Sequence, residues 1–254
     1  TKIYSISGKL GSKSLIVQRP FRSPHHSVSQ AGLVGGGTFP KPGEVSLAHH
    51  GILFLDEFTE FKRDALEALR QPIENRIAEI ARVQQSVQYP ASFLLVAALN
   101  PCPCGYLGDT TKSCACSENQ IQKYQAKLSG PLLDRIDIKV SVQAVSYEDA
   151  TIAKTADAIS SKTLRDGVQK ALIAQQNRFK TTNKTNSMMT AREVEVYCTL
   201  TENAEQIMKK AFSRLNLSMR SYHKILKLAR TIADLSESEN IDQVHIQEAI
   251  MYKS

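Results

Sequence analysis

The sequence contains no apolar run long enough to cross a membrane, no internal repeat and no long low-complexity tract. A membrane-spanning helix needs about 18 or more consecutive apolar residues, so we expect no membrane span. The first residues, Thr1 to Tyr4, form neither a signal peptide nor an initiator methionine. We therefore expect a cytoplasmic protein and a chain that is part of a longer one.

A phosphate-binding loop of the form G-x-x-x-x-G-K-[ST] is also absent. The nearest candidate is Gly8 to Ser14, where two residues rather than four separate the glycines and Ser12 precedes Lys13. The loop needs its full spacing because successive backbone N–H groups must wrap the β-phosphate. We predict an ordinary turn at this segment.

The composition allows a sizeable core and permits a nucleic-acid partner. The chain has 254 residues, 42% apolar and 22% charged, which suits one large or two modest domains. Lys and Arg exceed Asp and Glu by 32 to 25, which gives a net charge of +7. A positive charge permits contact with DNA or another polyanion without proving it.

Two apolar runs end in polar side chains. Ile52 to Leu55 is followed at once by Asp56 and Glu57, and Phe93 to Leu99 is followed by Asn100. Such runs predict strands that are buried on both faces of a parallel sheet. Because open α/β sheets place their ligands at the carboxyl ends of the strands, we expect the three polar side chains to share a site.

These three side chains suit the chemistry of a metal-bound phosphate. A hard oxygen ligand such as Asp56 fits Mg²⁺, and Glu57 is placed to orient an attacking water. The Asn100 amide can hold a water against a phosphate. The pattern is typical of a nucleoside triphosphatase core, whereas the alternative for the acidic pair alone is the start of a helix.

The alternating segment from Ile77 to Tyr89 predicts a β-hairpin that projects from the core. Arg82, Gln84 and Gln85 would be exposed at or near its tip. The alternative is an ordinary surface hairpin with no binding role.

Four of the five cysteines lie within fifteen residues, in the pattern C-x-C-x₉-C-x-C: Cys102, Cys104, Cys114 and Cys116. This spacing is compact enough to close one tetrahedral zinc site. Reduced free thiols and disulfides are the alternatives, although a cytosolic protein is not expected to carry structural disulfides. The fifth, Cys198, is expected in the core.

Two histidine pairs, His25-His26 and His49-His50, could also suggest zinc. Adjacent side chains diverge on most backbones, and no acidic or thiol partner lies at ligand spacing in the sequence. We expect a structural or nucleotide-proximal role for both pairs.

Two arginines have unusual surroundings. Arg135 lies between apolar residues, where a guanidinium can bridge to a neighbour's phosphate; its alternative is an ordinary salt bridge. The segment that follows, Ile136 to Val142, predicts a last strand.

Arg220 lies in the first turn of a helix that Ser218 is expected to cap. The helix dipole disfavours a cation there, so an anion or water is expected to compensate.

Helical patterns and capping boxes mark the remaining elements. The predicted helices cover residues 63–70, 117–128, 165–180, 190–197, 202–215, a segment from 218 and 242–252.

Several segments together carry a resemblance to a known family. They are residues 19–27 (RPFRSPHHS), 42–57 (PGEVSLAHHGILFLDE), 100–105 (NPCPCG), 129–135 (SGPLLDR) and 217–234 (LSMRSYHKILKLARTIAD). In these segments the chain resembles the magnesium-chelatase-like AAA+ ATPases, and within them the ComM/YifB branch, which is related to the replicative MCM helicases.

The resemblance implies a fold and a division into domains. Residues 1–145 would form a partial AAA+ α/β core, with a mostly parallel sheet flanked by helices and a pre-sensor β-hairpin. Residues 146–189 would form a connecting helix and linker, and residues 190–254 an all-α lid domain.

The resemblance also implies roles for the residues singled out above. Asp56 and Glu57 would be the Walker B pair, Asn100 sensor 1, Arg135 the arginine finger offered to the adjacent subunit, and Arg220 the sensor 2 arginine. The hairpin would face the central pore of a homo-hexameric ring, with Arg82 contacting DNA phosphates. ATP and Mg²⁺ would be the cofactors.

The implied activity is ATP-driven DNA translocation and branch migration during natural transformation. The family's Walker A loop belongs upstream of Thr1, so we expect this chain alone to bind and hydrolyse ATP poorly. Two alternatives are a chelatase-type motor that remodels a protein partner and a non-enzymatic binding module held together by zinc.

Overall fold

A computed structural model describes residues 1–12, 14–81, 86–109, 112–143, 145 and 160–253. The chain divides into two compact units, Thr1–Arg135 and Ile136–Ser254. The expected α/β fold followed by a helical region is confirmed, whereas the finer domain boundaries at 145 and 189 stay predictions. Among the described residues, no helix combines the length and apolar character that crossing a bilayer requires.

The first unit contains short strands and short helices. Its strands are β1 (Phe21–Arg22), β2 (Gly35–Gly36), β3 (Lys41–Pro42), β4 (Ile52–Leu55), β5 (Ile77–Ala81), β6 (Ser86–Pro90) and β7 (Leu94–Ala97). Its helices are α1 (Lys2–Ile6), α2 (Gln30–Leu33), α3 (Glu44–Leu47), α4 (Arg63–Ala68), α5 (Arg70–Asn75), α6 (Glu118–Gln125) and α7 (Gly130–Leu133), with a 3-10 turn at Phe58–Glu60.

A parallel sheet in the order β1-β4-β7 is the centre of the first unit. The central strand β4 pairs with β7 so that Ile52 lies opposite Leu94 and Leu55 lies opposite Ala97. On its other side, Ile52 lies opposite Phe21 of β1. Because all three strands are parallel, the residues that follow them leave the sheet at the same edge.

The apolar core lies on one face of this sheet. Leu53 and Leu55 are fully buried and belong to the same apolar cluster as helix α4. On the opposite face Phe54 stacks on Phe21 with ring centroids 6.2 Å apart, and Leu94 is 60% exposed. The burial expected on both faces is therefore found on one face only, because the helices of this cluster pack on the side of Leu53 and Leu55.

The predicted hairpin is formed by the antiparallel strands β5 and β6. Along β5, Ala78 and Ile80 are buried and the residues between and beside them are exposed, which is the predicted alternation. The proposed contact residues Arg82, Gln84 and Gln85 lie outside the described residues.

The second unit is helical in its described part. It contains α8 (Ser161–Phe179), a 3-10 turn at Asn186–Met188, α9 (Ala191–Tyr197), α10 (Glu202–Arg214), α11 (Met219–Leu235) and α12 (Gln243–Met251). The predicted capping box at Thr190 and Glu193 is confirmed, as is the one at Ser117 and Gln120 that begins α6 in the first unit. In both, the cap side chain and the side chain three residues later satisfy each other's backbone N–H groups.

A buried polar network joins α8 to α11. The Asp234 carboxylate accepts hydrogen bonds from Arg178 at 2.5 and 2.8 Å, from Arg230 at 3.1 Å and from Asn186 at 2.8 Å. Arg230 also donates to two backbone carbonyl groups. A carboxylate that is 1% exposed is tolerated only because several donors surround it. Helical periodicity did not predict this network.

One predicted strand is wrong. Ile136 to Val142 alternates apolar and polar residues, yet it forms no strand, and Val140 and Val142 are largely exposed. The Lys139 N–H donates instead to the Tyr252 carbonyl oxygen at 2.9 Å. A strand needs a second strand to complete its hydrogen bonds, and the described part of the second unit contains none.

Candidate active site

Asp56 and Glu57 follow the central strand β4 directly. Both side chains are exposed, and Asp56 Oδ1 accepts a hydrogen bond from the Glu57 N–H at 2.9 Å. Glu57 has φ 51° and ψ 46°, a left-handed conformation that costs a non-glycine residue about 1–2 kcal/mol. A 3-10 turn follows, and the Glu57 side chain makes no capping bond to it. The pair therefore does not form the start of an α-helix, which was its alternative interpretation.

Asn100 lies at the same edge of the sheet. Beyond the ends of β4 and β7, the Ala98 N–H donates to the Leu55 carbonyl oxygen at 3.0 Å, and the Ala98 carbonyl oxygen accepts from the Phe58 N–H at 2.9 Å. The acidic pair therefore runs alongside Ala98, and Asn100 follows two residues later with an exposed side chain. This is the predicted arrangement at the carboxyl ends of parallel strands.

Strand β1 brings a histidine to the acidic pair. β1 and β4 approach closely at Gly51, where an added Cβ would lie 1.9 Å from the Pro20 carbonyl oxygen, so only glycine fits. In the loop after β1, Nδ1 of His26 lies 2.9 Å from Oε2 of Glu57. A side chain from the neighbouring strand therefore restricts the orientation of the Glu57 carboxylate.

The second histidine pair has a structural role. Nδ1 of His49 accepts a hydrogen bond from the Ser92 N–H at 3.0 Å, and the His50 N–H donates to the Ser92 carbonyl oxygen at 2.6 Å. Burial lowers the pKa of His49, and the neighbouring His50 lowers it further, which favours the neutral ring that can accept this bond. Among the described residues, no histidine belongs to a group of three or more potential metal ligands.

Comparison with known proteins identifies the family. The family model described as magnesium chelatase, subunit ChlI, matches residues 1–150. The chain belongs to the magnesium chelatase ChlI family. The model of the C-terminal region of the same subunit matches residues 158–253, so the two matches cover nearly the whole chain and confirm the resemblance.

Relatives within the family are about two-fifths identical to this chain over the residues that align with it. Competence protein ComM of Haemophilus influenzae is 43% identical over 238 residues, which cover 93% of this chain and 45% of ComM. Protein YifB of Escherichia coli is 41% identical over 239 residues, which cover 93% of this chain and 46% of YifB. An uncharacterized protein of Mycobacterium tuberculosis is 39% identical over 249 residues, 96% of this chain and 48% of that protein. The chain thus spans about half the length of these relatives.

Arg135 of this ChlI-family chain is held within its own unit. One terminal nitrogen pairs with the Glu74 carboxylate, and the other donates to the Pro131 carbonyl oxygen at 2.7 Å. The Nε atom is buried and has no hydrogen-bond partner among the described residues. The first unit therefore contains the salt bridge that was the alternative for this arginine, while its role toward a neighbouring subunit stays a prediction.

Arg220 occupies the predicted first turn of α11. Ser218 caps this helix, since its side chain accepts a hydrogen bond from the Ser221 N–H at 3.2 Å. The first turn contains no acidic side chain, and Arg220 is exposed to solvent. Its predicted contact with an anion stays a prediction.

The four clustered cysteines come together in the loop that joins β7 to α6. Sγ of Cys102 lies 3.4 Å from that of Cys104 and 3.6 Å from that of Cys114, and the latter two lie 3.6 Å apart. All four sulfur atoms, including that of Cys116, lie within 4.8 Å of one another. None of the four is in a disulfide. The cluster offers a thiolate set that could bind zinc.

Sequence reasoning missed two partners of the predicted site residues. The contact of His26 with Glu57 depends on the pairing of β1 with β4, and a two-residue strand leaves no detectable periodicity. The one feature of the sequence that could have indicated this contact was the histidine pair that follows a short segment with an apolar residue. The pairing of Glu74 with Arg135 had no sign in the sequence, because the two residues lie 61 positions apart.

Proposed function

We propose that the intact protein is a ring-forming ATPase that uses ATP and Mg²⁺ to move DNA strands, with branch migration in natural transformation as its task. The observation that carries the proposal is the arrangement at the carboxyl edge of the sheet, where Asp56 and Glu57 lie beside the segment that leads to Asn100. Membership of the ChlI family and the similarity to ComM support it.

Each residue at this edge has a chemical task in the proposal. The exposed Asp56 carboxylate is a hard oxygen donor with room for metal-bound waters, which fits Mg²⁺. Bound there, Mg²⁺ would neutralise charge on the phosphates. Glu57 orients the attacking water, and His26 holds the Glu57 carboxylate. Asn100 holds a water or phosphate oxygen through its amide.

Two arginines complete the proposed site from outside this edge. Arg135 acts as the finger for the active site of the adjacent subunit, where a guanidinium stabilises charge on the transferring phosphoryl group. Arg220 contacts the γ-phosphate from the helical region. A homo-hexamer supplies both contacts at every site.

DNA is the polymer that the proposed ATPase moves. The net charge of +7 is compatible with a polyanionic partner. In the proposal, Arg82, Gln84 and Gln85, which lie between β5 and β6 in the sequence, are the residues that contact DNA in the central pore. Since Arg82 would contact phosphates, binding should weaken as salt concentration rises.

The decisive experiment is the ATPase activity of the intact protein with and without forked or four-way DNA. We expect basal turnover that DNA stimulates, and stimulation that falls in Arg82→Ala, with Lys180→Ala as a charge-matched control outside the hairpin. A ring that hydrolyses ATP but neither binds DNA nor responds to it would reject DNA as the substrate.

A second candidate is a chelatase-type motor that remodels a protein partner. The description of the matching family models, a magnesium chelatase subunit, favours it. It predicts no affinity for DNA and a dependence of turnover on a second protein, so the same experiment separates the two functions.

A further inference from the structure

We infer that Cys102, Cys104, Cys114 and Cys116 bind a single zinc ion, and that this ion fixes the loop that follows Asn100. The inference does not depend on the proposed ATPase activity, because it concerns a structural metal in the first unit.

The sulfur positions fit one tetrahedral ion. Four thiolates about 2.3 Å from zinc lie roughly 3.8 Å from one another, which is the edge of that tetrahedron. The distances between the Sγ atoms of Cys102, Cys104 and Cys114 are 3.4, 3.6 and 3.6 Å. A disulfide would need about 2.05 Å. The cluster is therefore arranged around a common centre and not as covalent pairs.

The same geometry selects against an iron–sulfur cluster. A cluster with several irons binds its cysteines to different metal atoms, which places some sulfur atoms farther apart than the edge of one tetrahedron. Here all four sulfur atoms lie within 4.8 Å of one another. Four thiolates around a single ion are the ligand set of structural zinc sites.

The fold places the two cysteine pairs at the two ends of one loop. Cys102 lies two residues after Asn100, and Cys116 directly precedes Ser117, the N-cap of α6. The turn that aligns the first pair is closed by the Gly105 N–H, which donates to the Cys102 carbonyl oxygen at 3.1 Å; Gly105 has φ 84°, which favours glycine.

The loop is held by local contacts, such as the hydrogen bond from the Lys112 N–H to Asp109 Oδ1 at 3.0 Å, and not by regular secondary structure. Its described parts, residues 101–109 and 112–116, contain no helix or strand. Of the four cysteines only Cys102 is fully buried, so an apolar core does not explain the cluster. A zinc ion would supply the missing stabilisation by closing the loop from Cys102 to Cys116.

The ion would act on Asn100 through this loop. A Cβ added at Gly105 would lie 3.9 Å from Cγ of Asn100, so the turn of the first cysteine pair lies near the Asn100 side chain. The Gln125 side chain donates to the Pro101 carbonyl oxygen at 3.2 Å and ties the same segment to α6. With four sulfur ligands the metal has no open position for a substrate, so its role is structural.

Metal analysis of the intact protein, purified under reducing conditions without a metal-binding tag, tests the inference. We expect about one zinc per chain. Cys104→Ser should lose most of it, and Cys104 is only half-buried, so the variant should fold. Cys198→Ala is the matched control, because Cys198 lies buried in the second unit and should leave the zinc content unchanged.

Two further measurements do not depend on the folding of a variant. Cobalt substituted into the unaltered protein should give the absorption of a tetrahedral tetrathiolate site. Removal of the metal by a chelator should increase hydrogen exchange in the peptides that cover residues 98–109. Iron in place of zinc, reactive cluster thiols without bound metal, disulfides under reducing conditions, or equal zinc loss in Cys198→Ala would each overturn the inference.

Discussion

Nδ1 of His26 lies 2.9 Å from Oε2 of Glu57, so a loop after the edge strand restrains the carboxylate at the end of the central strand. Glu57 is 58% exposed, and its backbone adopts a left-handed conformation. Without a partner, such a side chain would sample several rotamers. The histidine reduces that freedom at the position where the proposed mechanism orients a water.

The first prediction follows from this contact. In the intact protein, His26→Ala should lower kcat by about tenfold and change KM for ATP little, because a lost hydrogen bond to a charged group corresponds to roughly 1.5 kcal/mol. His26→Asn, which can still donate a hydrogen bond, should recover part of the loss. Steady-state kinetics with ATP as the varied substrate would measure kcat and KM for all three proteins.

His25→Ala is the matched control for this experiment. Its Nδ1 lies 2.9 Å from Oγ of Ser27; its ring centroid lies 4.0 Å from that of His26, whereas it is the His26 ring that contacts Glu57. We expect its kcat and its KM for ATP to resemble those of the unaltered protein. An equal fall of kcat in both variants would mean that the loop as a whole, and not the His26 contact, supports turnover.

The second prediction concerns Glu57 itself. Glu57→Gln in the intact protein should bind ATP with nearly unchanged affinity and lose turnover by about 10²–10⁴-fold, because the neutral amide no longer orients and polarises the water. Nucleotide binding and single-turnover hydrolysis should be measured separately. Asp64→Asn is a suitable control, since this acidic residue lies in the first turn of α4 and does not directly follow a strand of the sheet. Retention of full turnover in Glu57→Gln would remove Glu57 from the mechanism.

The sequence predicted those parts of the site that depend on local pattern. An apolar run followed by Asp56 and Glu57 fixes both the strand and its polar end, and the parallel register then places Asn100 at the same edge. Capping residues predicted helix starts correctly because the cap acts within one turn.

The missed features all depend on chain segments that lie far apart. The alternation from Ile136 to Val142 is typical of a strand, but a strand forms only where a second strand pairs with it. A local pattern does not show whether such a partner strand exists. The exposure of the sheet face that carries Leu94 likewise depends on which elements pack against the sheet. The His26 contact and the Asp234 network arise from tertiary packing of the same kind.

The third prediction uses the pairing of Arg135 with Glu74. If Arg135 serves the neighbouring site, rings of only Arg135→Ala subunits and rings of only Glu57→Gln subunits should both be inactive. Mixed rings should regain activity at each interface where the Arg135→Ala subunit supplies an intact Glu57 and its Glu57→Gln neighbour supplies Arg135. ATPase activity of rings mixed in different ratios measures the effect. No recovery at any ratio would show that the arginine acts within its own subunit.

Glu74→Gln tests what holds Arg135 in the first unit. The change removes the charge that pairs with the guanidinium while it keeps the size of the side chain. We expect Arg135 to become more available to the neighbouring subunit, so that ring assembly or turnover rises modestly. Glu60→Gln, which removes an exposed pair with Lys127, serves as the control.

The fourth prediction links the second unit to function through α11, which has Arg220 in its first turn and Asp234 in its last turn. Asp234→Ala leaves Arg178 and Arg230 without their shared carboxylate, and breaking such a buried pair costs about 3–5 kcal/mol. Hydrogen exchange of the α8 and α11 peptides in the intact protein should therefore accelerate strongly.

Glu237→Ala provides the comparison for this variant. Its carboxylate pairs with Lys170 at 2.6 Å, but both side chains are more than 60% exposed, so the loss should be about 0–1 kcal/mol. The comparison isolates the effect of burial on stability, because both changes remove one acidic residue from an ion pair near the end of α11. If exchange in α11 accelerated equally in the two variants, the Asp234 network would not be what stabilises the helix that presents Arg220.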